Sequence, residues 1–267
     1  MNQNGNVPLS VVIIAKDEER NLPECLESVR WAAETVVVVD PKSTDRTAEI
    51  AKNYTDKVIF RTMDVEGRHR NFAYGQATQN WVLSLDADER VSPELAAEIK
   101  DKISQSDPAV VGYSIPIKTY IGKRWIKGAG YYPASKLRLH KKGTFRYEET
   151  GVHPRAFLDG KEKPLTSDII HYGYRDMVHF LAKLNNQTTL EAEKWLDDGR
   201  KMSLPRLLYK ATDRFWRHYI GKKGYADGFL GFFMSICHSL YQLFTYAKYW
   251  EAKQNKDSSS QSKSHLH

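Results

Sequence analysis

The stretch LSVVIIAKDEERNLPECLESVRWAAETVVVVD, residues 9–40, opens and closes on a strand. Its first seven residues are nearly all apolar and largely β-branched, a run that suits a strand covered on both faces. EERNLPECLESVRWA follows with Leu22, Leu26 and Val29 at helical spacing, and TVVVVD (35–40) is a second buried strand. The same alternation continues outward. STDRTAEIAKNY reads as a helix with Ser43 or Thr44 as N-cap and Asp45 in the first turn. KVIF (57–60) is a third strand, RHRNFAYGQAT a helix, and NWVLSLD a fourth strand. Strand and helix alternating at this spacing imply a parallel sheet with right-handed crossovers. In such sheets ligands bind beyond the carboxyl ends of the strands. Asp40, Asp86 and the residues after Ala15 all fall there.

Composition sets the outer bounds. The chain has 267 residues, 41% of them hydrophobic and 12% aromatic, enough for a sizeable core with an appendage. A formal charge of +7 permits an anionic partner. The basic residues read as dispersed and no recognition motif is present, so nucleic acid is not an expected partner. Two cysteines, Cys25 and Cys237, exclude a disulfide framework and suit a reducing compartment. MNQNGNVPLS lacks the layout of a signal peptide, and a cytoplasmic location is expected.

Within the crevice, LDADE places Asp86 and Asp88 one residue apart at a strand end. They read either as turn carboxylates or as a pair converging on one divalent cation. Asp40 could accept from a nucleoside or could cap a turn. Arg68, Arg70 and Asn71 near a helix start could hold a diphosphate through forked, charge-assisted hydrogen bonds, or could form an ordinary basic patch. The glycine loops of P-loop and dinucleotide sites are missing, which argues against phosphoryl transfer and hydride chemistry.

Together these stretches, with GRHRNFAYGQATQNWVLSLDADERVSPEL, resemble the donor half of family 2 glycosyltransferases of the GT-A fold, over roughly residues 9–100. The nearest type is the lipopolysaccharide-core β-glucosyltransferase, which KLRLHKKGTFRYEETGVHP also resembles, more loosely. The resemblance implies an α/β fold with a mixed, mainly parallel sheet and flanking helices. It implies an inverting, Mg²⁺- or Mn²⁺-dependent transfer of a hexose from a nucleoside-diphosphate sugar, UDP-sugar first, to a lipid-linked or envelope glycan. Ala15, Asp17, Glu18 and Asp40 then meet the nucleoside, with Arg70 and Asn71 lining the donor pocket. Asp86 and Asp88 hold the metal, and His153 completes the metal sphere. Two departures stand out: DPKSTD where DSGSTD is usual, and GVHP where the type has VHE. Pro154 cannot serve as a base, so Glu149 is the first candidate and Glu148 the second. A sugar nucleotidyltransferase and a non-catalytic nucleotide- or glycan-binding protein remain as alternatives.

The style of the chain changes near residue 175, giving an expected catalytic domain over 1–175, with a donor half 9–100 and an acceptor half 101–175. A helical region is expected over 176–251 and a disordered tail over 252–267. KTYIGKRWIKGAGYYP (118–133) is a candidate sugar-binding wall or a core segment. RDMVHFLAKLNNQTTLEAEKWL aligns Met177, Leu181, Leu184, Thr188, Ala192 and Trp195 on one helical face. SLPRLLYKATDRFWRHYI sets Leu204, Leu207, Leu208, Ala211 and Phe215 opposite Arg206, Lys210, Arg214 and Arg217. That pattern, with the apolar 228–250 segment, points to a membrane-interfacial region on the inner face of the cell membrane.

Overall fold

The computed structural model describes residues 7–105, 107–149 and 155–264, with side chains through Lys256. The elements run β1 (Val7–Ala15), α1 (Leu22–Glu27), β2 (Ala32–Val39), α2 (Thr47–Lys52), β3 (Val58–Phe60), α3 (Glu66–Gly75), β4 (Trp81–Asp86) and β5 (Glu89–Val91). They continue with α4 (Pro93–Ser104), β6 (Val110–Ile115), β7 (Ile117–Ile121), β8 (Arg124–Trp125), β9 (Lys136–Lys141), β10 (Phe145–Tyr147), β11 (Ala156–Leu158), β12 (Lys161–Pro164) and β13 (Ile169–Tyr174). Three helices follow, α5 (Met177–Asp197), α6 (Leu204–Trp216) and α7 (Gly228–Ser264). Residues Met1–Tyr120 with Pro133–Gly173 make one compact unit; Ile121–Tyr132 with Tyr174–His267 make a second.

The first unit is mixed α/β. Its seven-stranded sheet has the order β12-β6-β9-β4-β1-β2-β3. β1 pairs in parallel with β2 and β4, and β2 with β3, while β9 runs antiparallel between β4 and β6. The runs VVIIA and VVVV are buried because this central part of the sheet is covered on both faces. Val11, Ile13, Val37, Val39, Leu83 and Leu85 lie in one cluster with Leu22, Leu26 and Leu95 from α1 and α4. Val12, Val36, Val38 and Val82 lie in another with Ala73 and Tyr74 of α3. The register sets Ala15 opposite Val39 and Ile14 opposite Asp86, so Ala15, Asp40 and Asp86 reach the same sheet edge.

Helix α2 begins later than Ser43 or Thr44 would place it. Its N-cap position is Arg46, without a side-chain cap, and the 43–45 loop is tied to the loop after β1 instead. Asp45 Oδ2 accepts from the Glu19 N–H at 2.9 Å, and Thr47 Oγ1 from the Glu18 N–H at 2.7 Å.

The second unit is helical. Ile126 and Ala129 are fully buried in a cluster with Phe180, Leu184, Leu230, Met234 and Cys237. Ile121, Ile126 and Ala129 are therefore core of this unit, so the segment expected to end a catalytic domain at 175 divides differently. On α5 the buried face is Phe180, Leu184, Thr188, Ala192 and Trp195, and Leu181 is exposed. α7 buries Leu230, Met234, Cys237, Thr245 and Tyr249 against protein, so its apolar run serves packing more than an interface. It continues through Ser264, where a disordered tail was expected from 252; that stretch has no Gly or Pro to stop it. Among the described residues no helix is long and apolar enough to cross a membrane.

Two buried imidazoles carry a pH consequence. His140 Nε2 and His238 Nε2 have no hydrogen-bond partner among the described residues. Burial lowers the His140 pKa to about 4. Burial and then the neighbouring His218 lower that of His238 to about 3. The unfolded chain, titrating near the ordinary value of about 6.5, binds these protons first. Their neutral burial therefore favours folding fully above that value and loses its contribution as pH falls. Each histidine should cost about 2 kcal/mol between pH 7 and 5. Thermal melts across that range should show Tm falling with acid, and His238→Phe should flatten the slope.

Candidate active site

The Asp86 carboxylate closes β4 between two guanidinium groups. Arg70 Nη1 donates to its Oδ1 at 3.0 Å, and Arg138 Nη2 to its Oδ2 at 2.8 Å. Arg138 also donates to Glu89 Oε1 at 2.6 Å, and Glu89 Oε2 accepts from the Asp86 N–H at 2.9 Å. The Arg138 and Glu89 side chains are 3% and 1% exposed, so this is a buried charge cluster. Burial alone would raise the Asp86 carboxyl; the two arginines outweigh it and hold it well below the usual carboxylate range. At Glu89 burial prevails and raises the pKa despite Arg138.

The chain turns at once after Asp86. Arg90 Nη1 donates to the Ala87 and Glu89 carbonyls at 3.0 and 2.9 Å and holds that turn. Asp88 therefore faces a different neighbour. β13 pairs antiparallel with β5, setting His171 opposite Glu89, and the Tyr172 N–H donates to the Asp88 carbonyl at 2.9 Å. His171 Nε2 stands 3.4 Å from Asp88 Oδ2, while its Nδ1 lies 3.2 Å from Thr119 Oγ1. A Cβ at Gly173 would come within 2.5 Å of the imidazole, so glycine there makes room for the ring. Burial opposes the imidazolium, but Asp88, with Glu89 and Asp86, raises its pKa above the ordinary value.

The expectation that Asp86, Asp88 and His153 share a metal is thus revised. Both Asp86 oxygens are engaged by arginines, because the i, i+2 geometry of an extended chain is broken by the turn at Ala87. His153, like Pro154, lies outside the described residues. Among the described residues no group of three or more His, Cys, Asp or Glu side chains is arranged for a metal. Asp88 and His171 offer an oxygen and a nitrogen close enough to reach one ion. A carboxylate with an imidazole would suit an Mn²⁺-type ion better than Mg²⁺, which prefers oxygen ligands.

Helix α3 links this edge to the candidate bases. Arg70 turns to Asp86 and also donates to Glu66 at 3.1 Å. Asn71, expected in the donor pocket, has a positioning task instead. Its Nδ2 donates to the Tyr147 carbonyl at 2.9 Å, and its Oδ1 accepts the Tyr147 N–H at 2.8 Å. Arg68 Nε donates to Glu149 Oε2 at 3.0 Å, and both side chains are exposed. The loop lies so close to the helix that a Cβ on Gly67 would stand 1.8 Å from the Glu148 carbonyl oxygen. Glu148 Oε2 accepts from the Arg155 N–H at 3.4 Å.

On the nucleoside side, Asp40 is buried and its carboxylate accepts backbone N–H groups from Lys42 at 2.9 Å and Met63 at 3.3 Å. The Lys42 bond first, and Met63 with nearby lysines, hold its pKa below the ordinary value against burial. Asp17 takes a left-handed backbone, φ 54°, and its Oδ1 accepts from the Thr44 N–H at 2.7 Å. Glu18 Oε2 accepts from Asn21 Nδ2 at 2.7 Å. Ala15, Asp17, Glu18 and Asp40 thus share one rim, with Asp17 and Glu18 holding loops together. Arg138, Glu89 and Thr119 carry no site signal of their own in the sequence, and His171, following the apolar pair Ile169 and Ile170 in SDIIHYGYRD, reads there only as a hydrogen-bonding support beneath the site. The one hint is the charge of Arg138 between Leu137 and Leu139 in KLRLHKK.

The family model for glycosyl transferase family 2 matches residues 10–158. The chain is 28% identical over 257 residues to the lipopolysaccharide core biosynthesis glycosyltransferase LpsC of Rhizobium meliloti, covering 92% of this chain and 93% of that protein. It is 29% identical over 255 residues to an uncharacterized glycosyltransferase of Rickettsia typhi, covering 90% of this chain and 86% of that one. Among solved structures, glucosyl-3-phosphoglycerate synthase from Mycobacterium tuberculosis in complex with Mg²⁺ and UDP aligns with a TM-score of 0.47 at 12% identity. That alignment covers 75% of this chain and 82% of that one.

Removing one partner of a buried ion cluster strands the others. Arg138→Met should cost about 3–5 kcal/mol of stability, read in urea denaturation. Arg138→Met combined with Glu89→Gln should recover part of that loss.

Proposed function

The chain belongs to glycosyl transferase family 2 and is a glycosyltransferase, and from that premise we propose a GT-A enzyme that transfers a hexose, with inversion, from a nucleoside-diphosphate sugar to a hydroxyl of a lipid-linked or envelope glycan. Family membership selects glycosyl transfer over the nucleotidyl transfer and the non-catalytic binding that the residues alone left open. The observation that carries the donor half is the Asp88–His171 pair, 3.4 Å apart, beside an Asp86 already neutralised by two arginines. The similarity to a lipopolysaccharide core biosynthesis glycosyltransferase supports an envelope glycan as acceptor. The work takes place on the cytoplasmic side, at the membrane surface.

Asp88 and His171 would hold the divalent ion, Mn²⁺ before Mg²⁺. Its chemistry there is to neutralise charge on the departing diphosphate. Asp40 accepts from the base or ribose, and the Asp17–Thr44 and Glu18–Thr47 contacts keep that rim in place. Arg70 stands where a guanidinium can be shared between Asp86 and the donor. The acceptor oxygen attacks the anomeric carbon as the bond from that carbon to the diphosphate oxygen breaks. Glu149 takes the hydroxyl proton, and the nucleoside diphosphate leaves with the bonding electron pair. The Arg68 contact orients Glu149. Glu148 is the second candidate for that proton. A UDP-sugar is the first donor to try.

Calorimetry with UDP, GDP, CDP and dTDP sugars should find one nucleotide bound tightly with Mn²⁺ and weakly with EDTA. Asp88→Ala and His171→Ala should each lower the metal-dependent affinity by about 10–100-fold in folded protein. Unchanged affinity in both would overturn the metal assignment. In a transfer assay Glu149→Gln should keep donor binding while kcat falls by about 10²–10⁴. Gly67→Ala should displace the same loop and lower kcat with the donor affinity retained. If Glu148→Gln gives the large loss and Glu149→Gln does not, the two glutamates exchange roles.

A further inference from the structure

Helix α6 has an apolar stripe that its own unit does not cover. Of Leu204, Leu207, Leu208, Ala211 and Phe215, only Leu207 and Ala211 are buried. Leu204 is 57% exposed, Leu208 53% and Trp216 59%. The uncovered surface continues past the helix through Ile220 and Tyr225 to Phe229, which is 75% exposed. Several of these side chains join one aromatic cluster, in which Trp216 meets Phe215 edge-on at 5.1 Å. Phe215 stacks on Tyr219 at 5.4 Å and meets Phe232 edge-on at 6.0 Å, and Tyr219 meets Tyr225 at 6.4 Å. A half-exposed aromatic cluster beside exposed Leu204, Leu208 and Phe229 marks an interaction surface.

The charge beside it identifies the partner. Residues 200–223 contain eight basic residues and one acid, the whole of the chain's net charge of +7. The basic residues are dispersed, but their excess over acids falls in this one segment. Arg206, Lys210 and Arg214 recur every fourth residue on one side of the exposed surface of α6 and Leu204 and Leu208 on the other, with the exposed Tyr209 and Trp216 between them. Partial burial, then Arg200, Arg206 and Arg214, lower the Lys210 pKa. Arg217 is offset by Asp213 at 2.6 Å. Aliphatic and aromatic residues bordered by such cations suit the headgroup region of an anionic bilayer, where Trp and Tyr settle and Lys and Arg reach phosphate. A nucleic acid would use the cations but leave the leucines and Phe229 in water. We propose that α6 and the segment through Phe229 dock this protein, without spanning, on a bilayer of anionic phospholipids.

This deepens the membrane-side placement proposed above and rests on it, whereas the test needs neither donor nor acceptor. The full chain is floated with phosphatidylcholine vesicles with and without phosphatidylglycerol. Binding should require phosphatidylglycerol and weaken with salt, by about tenfold or more on adding Arg206→Glu with Lys210→Glu. Leu208→Ser with Phe229→Ser should weaken it comparably at unchanged charge, and circular dichroism checks the fold of each variant. Binding indifferent to lipid charge, or to both variant pairs, would overturn the proposal. So would binding of duplex DNA with none to vesicles, or a dimer in sedimentation that the Leu208 and Phe229 changes dissolve. Calorimetric donor binding by the same variants should be unchanged, so failure of the docking surface and failure of the transferase reading give different results.

Discussion

The half-buried carboxylate of Asp86, set against the buried Arg138 and Glu89, constrains the residues around it. Charges as deep as those of Arg138 and Glu89 are tolerated only when paired and hydrogen-bonded. Arg70 from α3 and Arg138 from β9 supply the pairing, and Glu89 occupies the remaining capacity of Arg138. This one cluster fixes the orientation of α3, the side of β9 that faces the edge, and the path of the chain through Ala87. Replacing such a cluster with apolar side chains of similar volume is often neutral or favourable for stability. Its place at the carboxyl edge of the parallel strands therefore points to binding, with a guanidinium held where an anionic donor can approach.

The turn after Asp86 separates two jobs that the D-x-D spacing seems to merge. Asp86 faces the arginines and Asp88 faces His171, a residue more than eighty positions later. The strand pairing of β5 with β13 is what joins them. Helix α3 performs a comparable act on its other side. Arg68, Arg70 and Asn71 are near neighbours in sequence, yet they reach Glu149, Asp86 and the Tyr147 backbone respectively. Gly67 lets the 147–149 loop come close enough for this.

The helical unit obeys a different economy. α5 buries most of the side chains that its periodicity nominates, with Phe180 in the place where Leu181 was expected, and α7, expected at a membrane interface, buries Leu230, Met234 and Cys237 against protein. α6 does not, although it is the most regularly amphipathic of the three. Periodicity states that a helix has an apolar side; it does not state what covers that side, because protein core and lipid reward the same pattern.

The sequence by itself determined the alternating strands and helices, the mainly parallel sheet, and the edge at which Ala15, Asp40 and Asp86 gather. Those follow from local periodicity and from the steric rules of crossover connections, which need no knowledge of distant residues. Motif order over residues 9–100 also determined the family. Only the tertiary structure decided the partners of each charge. Nothing local to Asp88 selects His171, and nothing local to Asn71 shows that both its amide atoms are taken by Tyr147. Ionic and hydrogen-bonding choices depend on strand register and on which side chains burial forces to find a mate. Arg138 was legible only as a charge alternating with leucines. Its meaning came from the carboxylates that the folded sheet places against it.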